Sequence, residues 1–247
     1  MGGLPDQVEI KISFGLDEVP RALAAFELDD DSAMEGEIWF CELVESPGAK
    51  PTLLGHDLIV RLRQRPDHKS DSTVKRRGKQ APTLPAWWEP DDDCKYEGDW
   101  AGTSHQLSAS VSKKVDHDIL SRLSDRPLWA MADKLFNDHQ RDFAQAAITG
   151  QVLDLGSVRP LGPIHARTWK AERRTGHAEP IAAEQWSVDD RGFLELSVRV
   201  DYPEAQGAQG RFTEFVRSHH FDPDALQKTK TAAILSYLAG RAVTPAQ

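Results

Sequence analysis

The chain has 247 residues, 39% hydrophobic and 28% charged, with 30 Lys and Arg against 39 Asp and Glu and a formal net charge of −9. That length permits a sizeable buried core, and the acidic balance excludes a protein that coats nucleic acid or an anionic membrane by bulk charge. No apolar run is long enough for a membrane-spanning helix, and Cys41 and Cys94 are too few for a zinc motif or a disulfide framework. The expectation is a soluble cytoplasmic protein with reduced thiols and no secretory leader.

In chain order, Gln7 to Phe14 alternates, with Val8, Ile10, Ile12 and Phe14 on one face and Gln7, Glu9, Lys11 and Ser13 on the other. Residues 20–33 mix helix with an acidic loop whose Asp29-Asp30-Asp31 run reads as a solvated turn. Glu37 to Leu43 is an aromatic, branched strand, broken at Ser46-Pro47-Gly48. Leu58 then leads into a basic hairpin, with Arg61, Arg63 and Arg65 on one face of its first strand and Lys75 and Arg77 on one face of its second. Like charges so placed repel, so that face meets either solvent or a compensating anion.

These stretches, the N-terminal acidic-apolar-Lys strand, the Trp39 to Glu42 strand, Gly55 before Leu58 to Arg63, and Ser72-Thr73-Val74-Lys75-Arg76-Arg77, occur in an order that resembles the CYTH superfamily, the triphosphate tunnel metalloenzymes. The resemblance covers most of the chain. It implies an α+β fold dominated by a closed eight-stranded antiparallel β-barrel with flanking helices. The whole of 1–247 would be a single domain, with a helical insertion over 116–148 and a C-terminal helix over 223–240. Inside such a barrel Arg and Lys hold a triphosphate, while Glu and Asp hold Mg2+ or Mn2+.

Further along, residues 80–93 read as a loop in which Trp87 and Trp88 pack rather than stack a ligand. Lys95, Glu97 and Asp99 share a strand face, and two carboxylates at that spacing can converge on one hard cation or simply face water. A weakly signalled strand follows at Ser108 to Lys114. From Asp116 the apolar period becomes helical, and His117 and His139 lack the partner spacing of a metal site. Ile164 to Lys170 is a strand with His165, Arg167 and Trp169 on one face, and Glu184 to Val188 is a short one. Phe193 to Val200 alternates most cleanly, with Leu194, Leu196, Val198 and Val200 opposite Glu195, Ser197 and Arg199. Lys230 falls in phase with the apolar side of the last helix, directed either to water or to a phosphate.

The resemblance then assigns roles: Lys11 and Glu9 as catalytic, Arg61, Arg63, Lys75, Arg77, Arg167 and Lys230 as phosphate ligands, and Glu9, Glu97, Asp99 and Glu195 as metal ligands. The implied activity is divalent-metal-dependent hydrolysis of a small triphosphate, whether inorganic, nucleoside or thiamine triphosphate. Gln7 stands where a first carboxylate would precede Glu9, and Ser197 where a second would follow Glu195. A non-catalytic triphosphate- or polyphosphate-binding module is therefore the alternative, and an adenylate cyclase acting on ATP a second one. The expected partner is a small anionic triphosphate, with no nucleic acid and no membrane, and a homodimer is left open.

Overall fold

A computed structural model of the protein describes residues 4–43, 50–66, 70–123, 125–148, 150, 152–174, 176–224 and 230–241. The hairpin turn at 67–69, the break at 46–48, and Leu226 and Thr229 of the expected last helix lie outside the described residues. The strands are β1 (Gln7–Gly15), β2 (Met34–Glu42), β3 (Leu58–Gln64), β4 (Asp71–Gly78), β5 (Cys94–Ala101), β6 (Ser104–Lys114), β7 (Arg159–Glu172), β8 (Ile181–Val188) and β9 (Arg191–Asp201). The helices are α1 (Val19–Ala25), α2 (Thr52–Gly55), α3 (His117–Leu120), α4 (Ala132–Leu135), α5 (Asp138–Gln145), α6 (Ala205–Ser218) and α7 (Lys230–Arg241).

The hydrogen-bonding order β1-β5-β6-β4-β3-β2-β7-β8-β9 closes on itself. The fold class is α+β, but the barrel has nine strands rather than eight, and it is mixed rather than antiparallel. β1 runs antiparallel to β9 and parallel to β5. A parallel pair needs a long crossover, which the intervening chain from Gly15 to Cys94 supplies. Each of the nine strands coincides with a segment whose alternation or composition marks it in the sequence; the count of eight came from the resemblance alone.

By backbone contacts the chain gathers into two compact units. The first comprises Met1–Glu35, Tyr96–Leu107 and His165–Lys230; the second comprises Gly36–Lys95, Ser108–Ile164 and Thr231–Gln247.

In the first unit β5, β1, β9, β8 and β7 lie side by side. Their apolar face carries Val8, Ile10, Ile12 and Phe14 with Leu194, Leu196, Val198 and Val200, all buried beneath α1 and α6. Helix α6 was not anticipated from the sequence. Gly207 and Gly210 weaken its helical propensity, yet Ala205, Ala208, Phe212, Phe215 and Val216 follow helical spacing and are all buried. Burial of side chains such as Phe212 and Phe215, each worth about 1.5–3 kcal/mol, outweighs the glycine penalty. Phe14, Phe26 and Phe221 meet with ring centroids 5.0 to 5.7 Å apart and close the core. Gly98 lets β5 approach β1: a Cβ there would sit 2.8 Å from Val8 Cγ2.

In the second unit β3 pairs with β2 and β4. Between β6 and β7 the chain forms the short helices α3, α4 and α5, of which α5 is the most securely tied. Asn137 and Gln140 form a reciprocal capping box at its start. The fully buried Gln140 amide also donates to the carbonyls of Ser72 and Val111, which fixes α5 to β4 and β6. Glu42, also buried, accepts from the backbone N–H groups of Leu43, Leu53 and Leu54 and so caps α2. Burial pushes the Glu42 carboxyl above its ordinary range even against those donors. Trp88 is buried, and Trp87 stacks on His139 at 4.2 Å, so both indoles serve packing. The last helix is described only from Lys230, with Pro223 and Asp224 in a turn before it. No helix among the described residues is long and apolar enough to cross a membrane.

Candidate active site

The face of the first unit's sheet opposite its core is charged, and register decides which residues meet there. Side chains alternate along each strand, and directly paired residues share a face. Glu9 pairs with Asp99 on β5 and with Arg199 on β9; Lys11 pairs with Ser197, Ser13 with Glu195, and Glu195 in turn with Glu184 on β8. Glu97 joins the same face as the partner of Gln7. The sheet thus brings together Glu9, Lys11, Glu97, Asp99 and Glu195 from three strands distant in sequence.

Cations separate the carboxylates. Lys11 Nζ lies 2.7 Å from Asp99 Oδ1, to which it donates, and 2.8 Å from Glu9 Oε2, and its side chain is only 14% exposed. Arg199 reaches Glu9 at 3.5 Å and Glu97 at 3.4 Å. Lys230, at the first position of α7, donates to Glu184 at 2.8 Å and contacts Glu195 at 2.9 Å. Its ammonium also lies 4.3 Å from the centroid of the Trp186 ring. Burial alone would lower the Lys230 pKa, but Glu184 and Glu195 outweigh that and raise it. Ser13 Oγ adds a donor to Glu195 at 3.4 Å. These ion pairs interleave five carboxylates with three cations.

The second unit carries the basic face. On the β3–β4 hairpin, register puts Arg61 opposite Thr73 and Arg63 opposite Asp71, and the alternation adds Lys75 and Arg77 to that face. The two half-hairpins foreseen separately therefore share one face, whereas Arg65 falls beyond the end of β3. Asp71 is their counter-charge: Arg63 Nε donates to it at 2.8 Å, Arg61 lies at 3.7 Å, and Thr73 Oγ1 donates at 3.0 Å. Burial alone would raise the Asp71 pKa, but Arg61 and Arg63 bring it below the usual carboxylate range. Such a group contributes stability above its unfolded pKa of about 3.9, lost as pH falls through the lower folded value. Asp71→Asn is therefore expected to flatten the pH dependence of stability below pH ~4, measured by urea denaturation between pH 2 and 7.

One candidate is not brought to the charged face. Arg167 pairs with Gln185, whereas its neighbour Thr168 pairs with Glu184, so Arg167 lies on the side opposite Glu184. There its guanidinium stacks 5.0 Å from Trp169, hydrogen-bonds Gln185 at 3.4 Å and forms an ion pair with the exposed Asp30. That exposed pair ties the 29–32 turn to β7, a contact reinforced where Trp169 Nε1 donates to the Asp29 carbonyl at 2.8 Å.

Asp71, Glu184 and Arg199 are additional members of the two clusters. Parity could have found Asp71, in phase with Lys75 and Arg77, and Glu184, in phase with Trp186; it had already put Arg199 on the face of Glu195, though without a role.

In chemistry the acidic groups of this face are carboxylates, the oxygen ligands that a hard divalent ion takes. Among the described residues, no three His, Cys, Asp or Glu side chains group as an ion site. Mg2+ does not require such a cage. It is commonly held by one or two carboxylates, with water and phosphate oxygens completing the octahedron, and the register pair Glu9 and Asp99 provides that minimum.

No protein-family profile matches the sequence, and no curated protein matches it either. Solved structures do. A "putative adenylate cyclase" from Bacillus halodurans superposes with a TM-score of 0.57 at 10% identity, over 94% of this chain and 98% of the other. A "putative adenylyl cyclase" from Hippeastrum, described as having a dominant triphosphatase activity, superposes with a TM-score of 0.59 at 14% identity, over 94% of this chain and 96% of the other. The fold is that of the CYTH proteins.

Proposed function

We propose that the protein hydrolyses a small triphosphate with the help of a divalent metal ion. The observation that carries the proposal is the gathering of Glu9, Lys11, Glu97, Asp99 and Glu195 on one face of the five-strand sheet of the first unit. By itself, the basic hairpin of the second unit carries four cations, whose guanidinium forks and ammonium suit phosphate oxygens. A triphosphatase activity in a protein of the same fold supports the same reading.

Phosphoanhydride hydrolysis needs neutralised phosphoryl oxygens, in-line geometry and an oriented water. Arg61, Arg63, Lys75 and Arg77 would bind and orient the phosphates. Glu9, Asp99, Glu97 and Glu195 are the residues that would hold Mg2+ or Mn2+, which when bound supplies Lewis-acid polarisation of the phosphoryl oxygens. Lys11, fixed between Glu9 and Asp99, would donate a hydrogen bond to the phosphoryl group under attack. A carboxylate of the same face would accept the proton of the attacking water as the P–O bond to the leaving phosphate breaks.

A second reading, a module that binds triphosphate without turnover, is favoured by Gln7 and Ser197, which bring neutral oxygens to this face where carboxylates would add charge. Phosphate release from inorganic triphosphate, ATP and thiamine triphosphate, each with Mg2+, Mn2+ or EDTA, decides between them. Metal-dependent release is the expected result. Thermal stabilisation by triphosphate without release would replace the enzyme by the binding module; cyclic nucleotide formation from ATP would replace it by a cyclase.

A further inference from the structure

The β3–β4 hairpin carries an anion of its own. Asp71 is the only carboxylate on either strand, and register sets it directly opposite Arg63. Nε and Nη2 of Arg63 both meet Asp71 Oδ2, at 2.8 and 2.7 Å, so one edge of the guanidinium fork is spent on a single oxygen. The other oxygen, Oδ1, lies 3.7 Å from Arg61 Nη2 and accepts from Thr73 Oγ1 at 3.0 Å. Thr73 Oγ1 is in turn 3.1 Å from Ser112 Oγ, which ties the arrangement to β6. A carboxylate that turns one oxygen to each of two guanidinium groups takes the place in which arginines receive a phosphate. Any other anion on this face must share Arg63 with Asp71 or displace it, and that cost is fixed by the protein. The attraction of Arg61, Lys75 and Arg77 instead grows with the charge that the ligand brings. A chain of phosphates brings enough charge to overcome the carboxylate, and a lone phosphate brings far less.

We propose that Asp71 is a specificity-determining residue, a resident anion on the Arg61 and Arg63 pair that raises the charge a ligand must carry, so that the hairpin takes a polyphosphate chain and turns away single phosphates. A repulsive group built into a binding site discriminates in this way at the expense of affinity. The inference rests on the proposal that the hairpin binds the triphosphate, and neither on a metal ion nor on hydrolysis.

The test measures binding rather than turnover. Inorganic triphosphate and orthophosphate are each titrated by calorimetry, in EDTA, into full-length wild type, Asp71→Asn, Asp71→Glu and Asp133→Asn, with melting curves to verify folding. Asparagine keeps the size of the side chain and can still accept from Thr73. Asp71→Asn is expected to bind triphosphate at least about tenfold more tightly than wild type and to gain orthophosphate binding, because a negative charge is removed within a few ångströms of the ligand. Asp71→Glu returns the charge and should bring both affinities back toward wild type. Asp133, fully exposed beside Arg141, reports what the loss of any one negative charge does, and Asp133→Asn should change neither affinity by more than about twofold. Triphosphate affinity that is unchanged or weaker in Asp71→Asn overturns the proposal, since Asp71 would then be the group that holds the two arginines in place for the ligand. A gain no larger than that of Asp133→Asn overturns it too. Should Asp71→Asn fail to fold, Asp71→Ser is titrated in its place against the same criteria. Phosphate release with Mg2+ or Mn2+ is measured separately. Tighter binding in Asp71→Asn without release from wild type retains the inference and removes the triphosphatase reading, and release without a gain does the reverse. If no protein of the set binds either phosphate, the hairpin is not a phosphate site and the inference falls with that reading.

Discussion

Lys11→Met is expected to lower metal-dependent phosphate release by about 10²- to 10⁴-fold, the range found when a positioned proton donor or charge-stabilising group is removed. The same variant should also lose stability in the absence of metal. Lys11 lies 2.8 Å from Glu9 and 2.7 Å from Asp99, and Asp99 is only 7% exposed at its side chain. Methionine preserves the length of the side chain but leaves the two carboxylates facing each other in poorly solvated surroundings. Added Mg2+ should therefore raise the melting temperature of Lys11→Met more than that of wild type, without restoring turnover. If the variant kept wild-type release, Lys11 would be a structural counter-ion and no part of the chemistry.

The second large effect is on stability. Lys230→Met is expected to destabilise the protein by about 3–5 kcal/mol at pH 7, the usual result of removing one partner from a buried ionic cluster. Glu184 and Glu195 are direct cross-strand partners, and Lys230, 10% exposed, is the cation between them. Because the folded pKa of Lys230 is raised, its contribution is complete below the ordinary lysine value of about 10.4 and is lost only as pH rises through the higher folded value. The variant reverses the sensitivity at the acid end. Without the ammonium, one of the two carboxylates can remain folded only by taking up a proton, so the deficit should shrink as pH falls towards about 5. Urea denaturation of wild type and variant at pH 5 and pH 7 measures both parts. An equal deficit at the two pH values would mean that packing on Trp186 and Phe193, rather than charge, is what Lys230 provides. Glu184→Gln added to the variant should recover part of the loss, since it removes one of the two carboxylates that repel each other across the β8–β9 pair.

The two variants probe opposite ends of a single face, and that face explains which parts of the site were visible beforehand. Alternation along β1 and β9 separates Glu9 and Lys11 from Val8 and Ile10, and Glu195 from Leu194, with no knowledge of partners. Alternation does not by itself place Arg167, whose phosphate role was implied by the resemblance alone. Period two says that Arg167 and Thr168 point to opposite sides of β7, but not which side is covered; only the pairing of Thr168 with Glu184 decides it. Helix α6 escaped notice for a related reason: its two glycines hide a helix whose stability comes from the β-sheet it covers.

What the amino-acid sequence determined by itself is local: the nine strand segments, their polar and apolar faces, and the concentration of cations in the β3–β4 hairpin, because side-chain periodicity and turn chemistry act over a few residues. The closed order of nine strands, the parallel pairing of β1 with β5, and the meeting of Glu9 with Asp99 and Arg199 were decided only by the tertiary structure. The physical reason is that register is a long-range quantity, set when the apolar face of each strand finds its cover, here α1 and α6 over β1 and β9. Once that face is buried, every polar side chain on the other side has its neighbours assigned.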